Sequence, residues 1–222
     1  MTAIETLAPY RKEFAEALAD LMRKRAAAQS ALVAAHVRAA DDDTIGAPLC
    51  LALADALGVA APERRAPALA AGLVELAASA AESLTHEDGA SNGVALDSGY
   101  PLALNSVDAL YSLAQLALAD MAEDLEGLER VATGSTDFLT LALWRVLAEP
   151  AAGSTTEAIG RLAGANAAIA ARLDQAAISE VAEFGARAAR QLAGDGASVS
   201  GSGLGLEHLS PTQREKVAAI LR

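Results

Sequence analysis

The residues best placed to do chemistry lie in one polar run, His86-Glu87-Asp88-Gly89-Ala90-Ser91-Asn92. Adjacent carboxylates at the end of an apolar helix could hold a hard cation together with water, and His86 could act as a base or a ligand. Two carboxylates and a serine are weak ligands by themselves. The commoner role of such a run is a solvated loop, and the commoner role of a single histidine is a surface or capping residue. The acidic trio Asp41, Asp42 and Asp43 reads in the same way, as a solvated charge run before a helix. The other histidines, His36 and His208, are far from His86 in sequence and lack metal-ligand spacing. Cys50 is the sole cysteine, which removes intramolecular disulfides and thiolate zinc clusters; between Leu49 and Leu51 it reads as a small buried apolar residue. The glycines from Gly194 to Gly205 follow no strand and lack a Gly-Lys-Ser/Thr ending, which argues against a phosphate-binding loop. Gly201-Ser202-Gly203 is loop filler rather than a nucleophile elbow.

The elements that must position these residues are helical. Of 222 residues, 53% are hydrophobic but only 3% aromatic, so the apolar content is aliphatic and alanine-rich, as in helical proteins. Apolar residues recur at helical spacing, and no alternating strand pattern or fixed-period repeat is present. The pattern predicts an all-α, single-domain helical bundle over 1–222, with a flexible Gly/Ser-rich loop at about 194–206. In more detail, Pro9 suggests a helix start a few residues later, and a nearly uncharged helix from Pro48 ends at Gly58. Pro62 and Pro67 are expected to bracket a connection, with the next helix beginning about Ala68 and running to Thr85. Further helices are expected over 102–121 and 137–147, the latter capped from Ser135 to Asp137. Ser154 and Glu157 suggest a capping box for a helix running to about Gln175 and on toward Leu192. Ser210, Pro211 and Gln213 match N-cap and first-turn preferences for a last short helix. Phe138 and Trp144 read as core.

Charge narrows the partners. Seventeen basic residues against 29 acidic ones give a net charge of −12, which disfavours nucleic acid and a polybasic membrane anchor. The apolar runs are broken by Asp55, Glu75, Glu82 and Asp120, so none reaches the ~20 residues of a membrane span. The first residues, through Arg11, Lys12 and Glu13, carry no signal-peptide pattern, which predicts a cytoplasmic protein.

Three stretches, in order, resemble the trans-isoprenyl diphosphate synthase (polyprenyl synthetase) family. Gly46-Ala47-Pro48-Leu49 through Ala54-Asp55-Ala56-Leu57-Gly58 resembles the early helix that follows the family's basic Gly-Lys-Arg motif. Leu73-Val74-Glu75-Leu76 through Ser83-Leu84-Thr85-His86-Glu87-Asp88 resembles the helix bearing its first aspartate-rich motif. Gly99-Tyr100-Pro101-Leu102 with Val107-Asp108-Ala109-Leu110-Tyr111 resembles the helix with its Gly-Asp-x-Leu-Leu pattern. The likeness is best over roughly 43–120, and it implies the isoprenoid synthase fold.

The family's chemistry needs two magnesium-binding aspartate clusters that let an allylic diphosphate ionise. Here the first cluster would read Glu87, Asp88 and Ser91, with serine in place of the last acid. The second would fall near Ala171-Arg172-Leu173-Asp174-Gln175, with arginine where an acid is needed. The lysine and arginine that clamp the second diphosphate would lie near Thr44 and Ile45, neither of them basic. An uncompensated diphosphate beside Glu87 and Asp88 would be repelled. The resemblance therefore implies a degenerate, non-catalytic member with no catalytic residue and no metal or other cofactor. Such a chain would act as a homo-oligomer or as a regulatory or structural subunit in a heteromer with a catalytic polyprenyl synthase, paired through an exposed apolar stripe on the helix at about 102–121. One alternative is a module that holds an isoprenoid lipid in a tunnel lined by Leu73, Leu76, Leu84, Leu110 and Leu113, with His86, Glu87 and Asp108 about its mouth. Another is a divergent prenyltransferase or terpene-synthase-like enzyme with a relocated or shared magnesium site.

Overall fold

The computed structural model describes residues 3–25, 44–82, 100–121, 124–148, 155–194 and 205–221. Within these the chain forms eight α-helices and one 3-10 turn, with no strand, as the aliphatic periodicity predicts. Helix α1 (Ala3–Arg25) buries Leu7, Phe14, Leu18 and Leu21, one face of a 3.6-residue period. Pro9 lies inside this helix and not before it. The ring is exposed, so the proline costs one intrahelical hydrogen bond without burying its ring.

Helix α2 (Gly46–Ala56) buries every residue except Asp55, which explains its lack of charge. It stops where expected, at Gly58, whose φ of +90° is open to glycine at no steric cost. Helix α3 (Ala61–Glu82) corrects the expected connection, because it runs through both Pro62 and Pro67. Pro62 sits in the first turn, where its missing N–H has no helical partner in any case. Pro67 costs an interior bond, which burial of the surrounding Ala66, Ala68 and Leu69 offsets, and its carbonyl accepts the amide of Asn166 at 3.1 Å.

Helix α4 (Tyr100–Ala117) tightens into a 3-10 turn, Leu118–Met121. Helix α5 (Leu125–Ala148) starts a dozen residues before its expected cap. Gly134, Ser135 and Thr136 lie in its interior: Gly134 admits Leu162 of the next helix, Ser135 is buried, and the Thr136 hydroxyl donates back to the carbonyl of Ala132. The true cap is Asp124, whose carboxylate accepts the Gly127 amide at 3.0 Å. Helices α6 (Thr155–Ala170) and α7 (Gln175–Leu192) are separate where one helix was expected to run on. The last, α8 (Pro211–Ala219), has the expected capping box between Ser210 and Gln213. Residues 195–204 of the Gly/Ser-rich stretch lie outside the described residues, as do His36 and Asp41 to Asp43.

Helix α3 is central and packs against α1, α2, α4, α5 and α6. Helix α2 joins it to α1, α6 and the C-terminal α8. The α6–α7 pair approaches most closely. A Cβ on Gly185 would stand 2.1 Å from the carbonyl oxygen of Gly160, and one on Gly164 would stand 2.3 Å from that of Val181. Glycine is required because backbone meets backbone there. Arg161–Glu183 at 2.9 Å and Arg190–Glu157 at 2.8 Å bridge the pair from outside.

At the other end of the bundle Arg64 ties three helices together. It bridges Glu13 of α1 at 2.9 Å and Asp55 of α2, while the Tyr10 hydroxyl donates to Asp55 at 2.9 Å. Burial, with the hydrogen bond to Asp55, pushes the Tyr10 phenol up to about 12.

Candidate functional site

Four of the five expected tunnel-lining leucines fall among the described residues. Leu73 and Leu76 on α3, with Leu110 and Leu113 on α4, are all buried in one core cluster. The helices that carry them pack together, so side chains some 35 residues apart in sequence become neighbours through this pairing. Asp108, by contrast, is exposed on α4. His86, Glu87, Asp88, Ser91 and Leu84 lie outside the described residues.

The place where the resemblance puts a second acidic cluster, 171–175, is a turn between helices. Arg172 adopts a left-handed φ of +55°, and the Arg172 and Leu173 amides close the end of α6 by donating to the carbonyls of Ile169 and Ala168. Glycine usually fills such a position, so an arginine there carries backbone strain. Asp174 is the one carboxylate of the five residues, and it accepts the Ala177 amide at 2.9 Å as the N-cap of α7. Magnesium asks for several free oxygen ligands in octahedral array. One carboxylate engaged with backbone, next to a guanidinium, does not fit the ion. Among the described residues no group of three or more His, Cys, Asp or Glu side chains is arranged to hold a metal.

This turn borders a cleft of about 320 Å³. Asp124, Glu126 and Arg130 line it from the start of α5, and Ile169, Arg172 and Leu173 from the end of α6. Arg172 reaches Asp124 at 3.8 Å and Arg130 reaches Glu126 at 4.0 Å, while Arg130 donates to Gln175 at 2.6 Å. Charges of both signs thus compensate one another across the cleft. The sequence signal for it was the spacing Asp124–Gly127, a cap read instead at Ser135.

At the expected diphosphate clamp, Thr44 is buried, and the Ile45 and Gly46 amides donate to the carboxylate of Glu75 at 3.0 and 2.8 Å. Withdrawal from water raises the Glu75 carboxyl, to about 7, against these bonds and the nearby Arg11, although the side chain keeps partial exposure. Sequence reasoning treated Glu75 only as an interruption of an apolar run. It is the lone charge in 66–81, which was the available signal of a specific task.

This helical arrangement is the isoprenoid synthase fold. The geranyl diphosphate synthase small subunit of Antirrhinum majus superposes over 100% of this chain and 99% of its own, with a TM-score of 0.66 and 15% sequence identity. A chain of the mint deletion mutant of heterotetrameric geranyl pyrophosphate synthase, solved with ligands, matches over 96% of this chain and 99% of its own, with a TM-score of 0.60 and 15% identity. No protein-family model and no curated protein sequence matches this chain. Among the described residues no helix is long and apolar enough to cross a membrane.

Proposed function

We propose that the chain is a non-catalytic, polyprenyl-synthase-like subunit that regulates or supports a catalytic synthase in a cytoplasmic isoprenoid biosynthetic complex. The observation that carries this reading is the 171–175 turn: Arg172 lies where the family's chemistry needs an acid, and Asp174 is engaged as a helix cap. A diphosphate would lack the second set of metal ligands that makes it a leaving group. The fold shared with a synthase small subunit and with a chain of a heterotetrameric synthase supports assembly with a second chain.

The surface supports the same reading in a more mixed form than an unbroken apolar stripe. Helix α4 exposes Leu104 and Leu116, 44% and 41% accessible, with exposed Asp108 and Ser112 between them at four-residue steps. Helix α5 adds Leu125 and Leu141, 71% and 45% accessible. A partner that buried these leucines would gain the free energy of their desolvation, while the polar residues between them would set register.

The test is native mass spectrometry of the protein taken gently from its own source, followed by prenyl-transfer assays with magnesium on the chain alone and on any complex. A heteromer with a larger synthase-like chain, and no elongation by the isolated chain, is the expected outcome. Steady elongation by the isolated chain would overturn the proposal in favour of a divergent enzyme with a relocated magnesium site. A homo-oligomer carrying the extra mass of a lipid would favour an isoprenoid-binding module built on Leu73, Leu76, Leu110 and Leu113.

A further inference from the structure

Helices α4 and α5 both pack on α3, and each carries an exposed row at four-residue steps. On α4 the row is Leu104, Asp108, Ser112 and Leu116; on α5 it is Leu125, Glu129, Thr133, Asp137 and Leu141. The two rows have the same make-up, with leucine at both ends and carboxylate and hydroxyl between. The helices follow one another through the 3-10 turn, and the Tyr111 and Thr136 hydroxyls meet at 2.8 Å. A contact that reaches back across the turn makes the helices antiparallel. Asp108 and Ser112 lie three residues before and one after Tyr111, and Thr133 and Asp137 stand in the same relation to Thr136. On antiparallel helices that equal offset turns both rows to one side of the molecule.

The charge on this side has one sign. Over 100–141 the sequence has seven acids and one basic residue, Arg130. Arg130 is half-buried, donates to Gln175 at 2.6 Å and lies 4.0 Å from Glu126, so it serves the cleft beside α6 and not the rows. Asp108, Asp120, Glu129 and Asp137 are exposed, and among the described residues none of them is in an ion pair. Covering the leucines is favourable, whereas covering the acids without a counter-charge is costly. A second copy laid face to face brings the same acids, so like charges meet. A surface whose lysines or arginines lie between apolar residues meets both demands.

We propose that the α4–α5 face docks a partner chain whose matching surface is both apolar and basic, with cations set opposite Asp108, Glu129 and Asp137. The proposal rests on the reading of the chain as a subunit. It adds the chemistry of the partner's surface, and it rules out pairing of two copies through this face.

The test uses the whole chain and the synthase chain recovered with it in native mass spectrometry, reassembled from the separated subunits. Their affinity is expected to fall by about tenfold or more between about 50 mM and about 500 mM salt. Reversing three charges together, Asp108→Lys, Glu129→Lys and Asp137→Lys, is expected to weaken binding by about a hundredfold at about 150 mM salt and to flatten the salt dependence. Glu63→Lys, Glu207→Lys and Glu215→Lys together give the same net charge at exposed sites elsewhere, and are expected to change binding by less than about threefold. An equal loss from both triples, or an affinity indifferent to salt, overturns the proposal. So does a homodimer of the isolated chain that the face triple dissolves. Should that triple fail to fold, Asp108→Asn, Glu129→Gln and Asp137→Asn remove the charges at constant shape, and unaltered affinity then overturns it. A synthase complex indifferent to the face sinks this inference alone and leaves the subunit reading standing, whereas no heteromer at all sinks both.

Discussion

Between α6 and α7, Gly160, Gly164 and Gly185 bring backbone against backbone, and two arginine–glutamate pairs close the outside. Along α4 and α5 the helices instead hold leucines out to solvent, with Asp108 and Ser112 interspersed. Both regions are built from helices of small and aliphatic residues, yet one packs its apolar surface within the chain and the other leaves part of it in water. The difference lies in where side-chain bulk was removed. Glycines at facing positions let two helices of one chain pack on each other, whereas the leucines of α4 and α5 remain exposed.

The largest expected effect breaks the closed side. Gly185→Ala adds a Cβ against a carbonyl oxygen that cannot rotate away, and it is expected to destabilise the fold by about 3 kcal/mol in urea or thermal unfolding. If the cost is near zero, the close approach is not a constraint.

Next comes the open side. Replacing Leu104 and Leu116 together by glutamate is expected to leave the stability of the isolated chain within about 0.5 kcal/mol, since both are half-exposed. The same variant is expected to weaken association with the proposed synthase partner by at least about tenfold. Unchanged association would move the interface elsewhere.

A smaller effect, of opposite sign, lies at the turn that joins α6 to α7. Arg172→Gly removes a left-handed arginine, and it is expected to stabilise the fold by about 0.5 kcal/mol after the entropy cost of glycine in the unfolded chain. A loss of stability would show that its 3.8 Å contact with Asp124 outweighs the strain.

The smallest effect concerns how α7 holds the C-terminal segment. His208 contacts Glu180 through its ring at 2.7 Å and through its backbone amide at 2.9 Å. The hydrogen bond to Glu180 raises the His208 pKa, so its contribution is complete below the ordinary histidine value and fades as pH rises through the raised one. His208→Ala is therefore expected to lower thermal stability slightly at pH 5.5 and to match the parent at pH 9. An equal loss at both pH values would assign the residue a packing role alone.

These two regions also mark how far the sequence could be read. Buried faces such as Leu7-Phe14-Leu18-Leu21, the nearly uncharged α2 and the Ser210–Gln213 box were legible because each rests on local spacing. Pro67 and Ser135 were misread because neighbouring helices decide their role: propensity marks them as breaks, and tertiary burial overrides it. The reverse error came at Arg172, where nothing in local composition marks a break and the helix nonetheless ends, with Asp174 starting the next. The burial of the α3 and α4 leucines could be read from periodicity. Glu75 could not, because its partners are backbone amides 30 residues away and leave no pattern in side-chain types.

Tyr10 gives the corner where α1 meets α2 and α3 an optical reporter of its own. With its phenol held up to about 12 by burial and Asp55, it keeps the un-ionised ultraviolet spectrum at an alkalinity where a freely solvated tyrosine is already half converted to phenolate. Detachment of α1 would release that ionisation. The part of the phenolate absorbance rise near pH 11 that a Tyr10→Phe variant lacks, with Tyr100 and Tyr111 common to both, would then follow the first helix as it leaves the bundle.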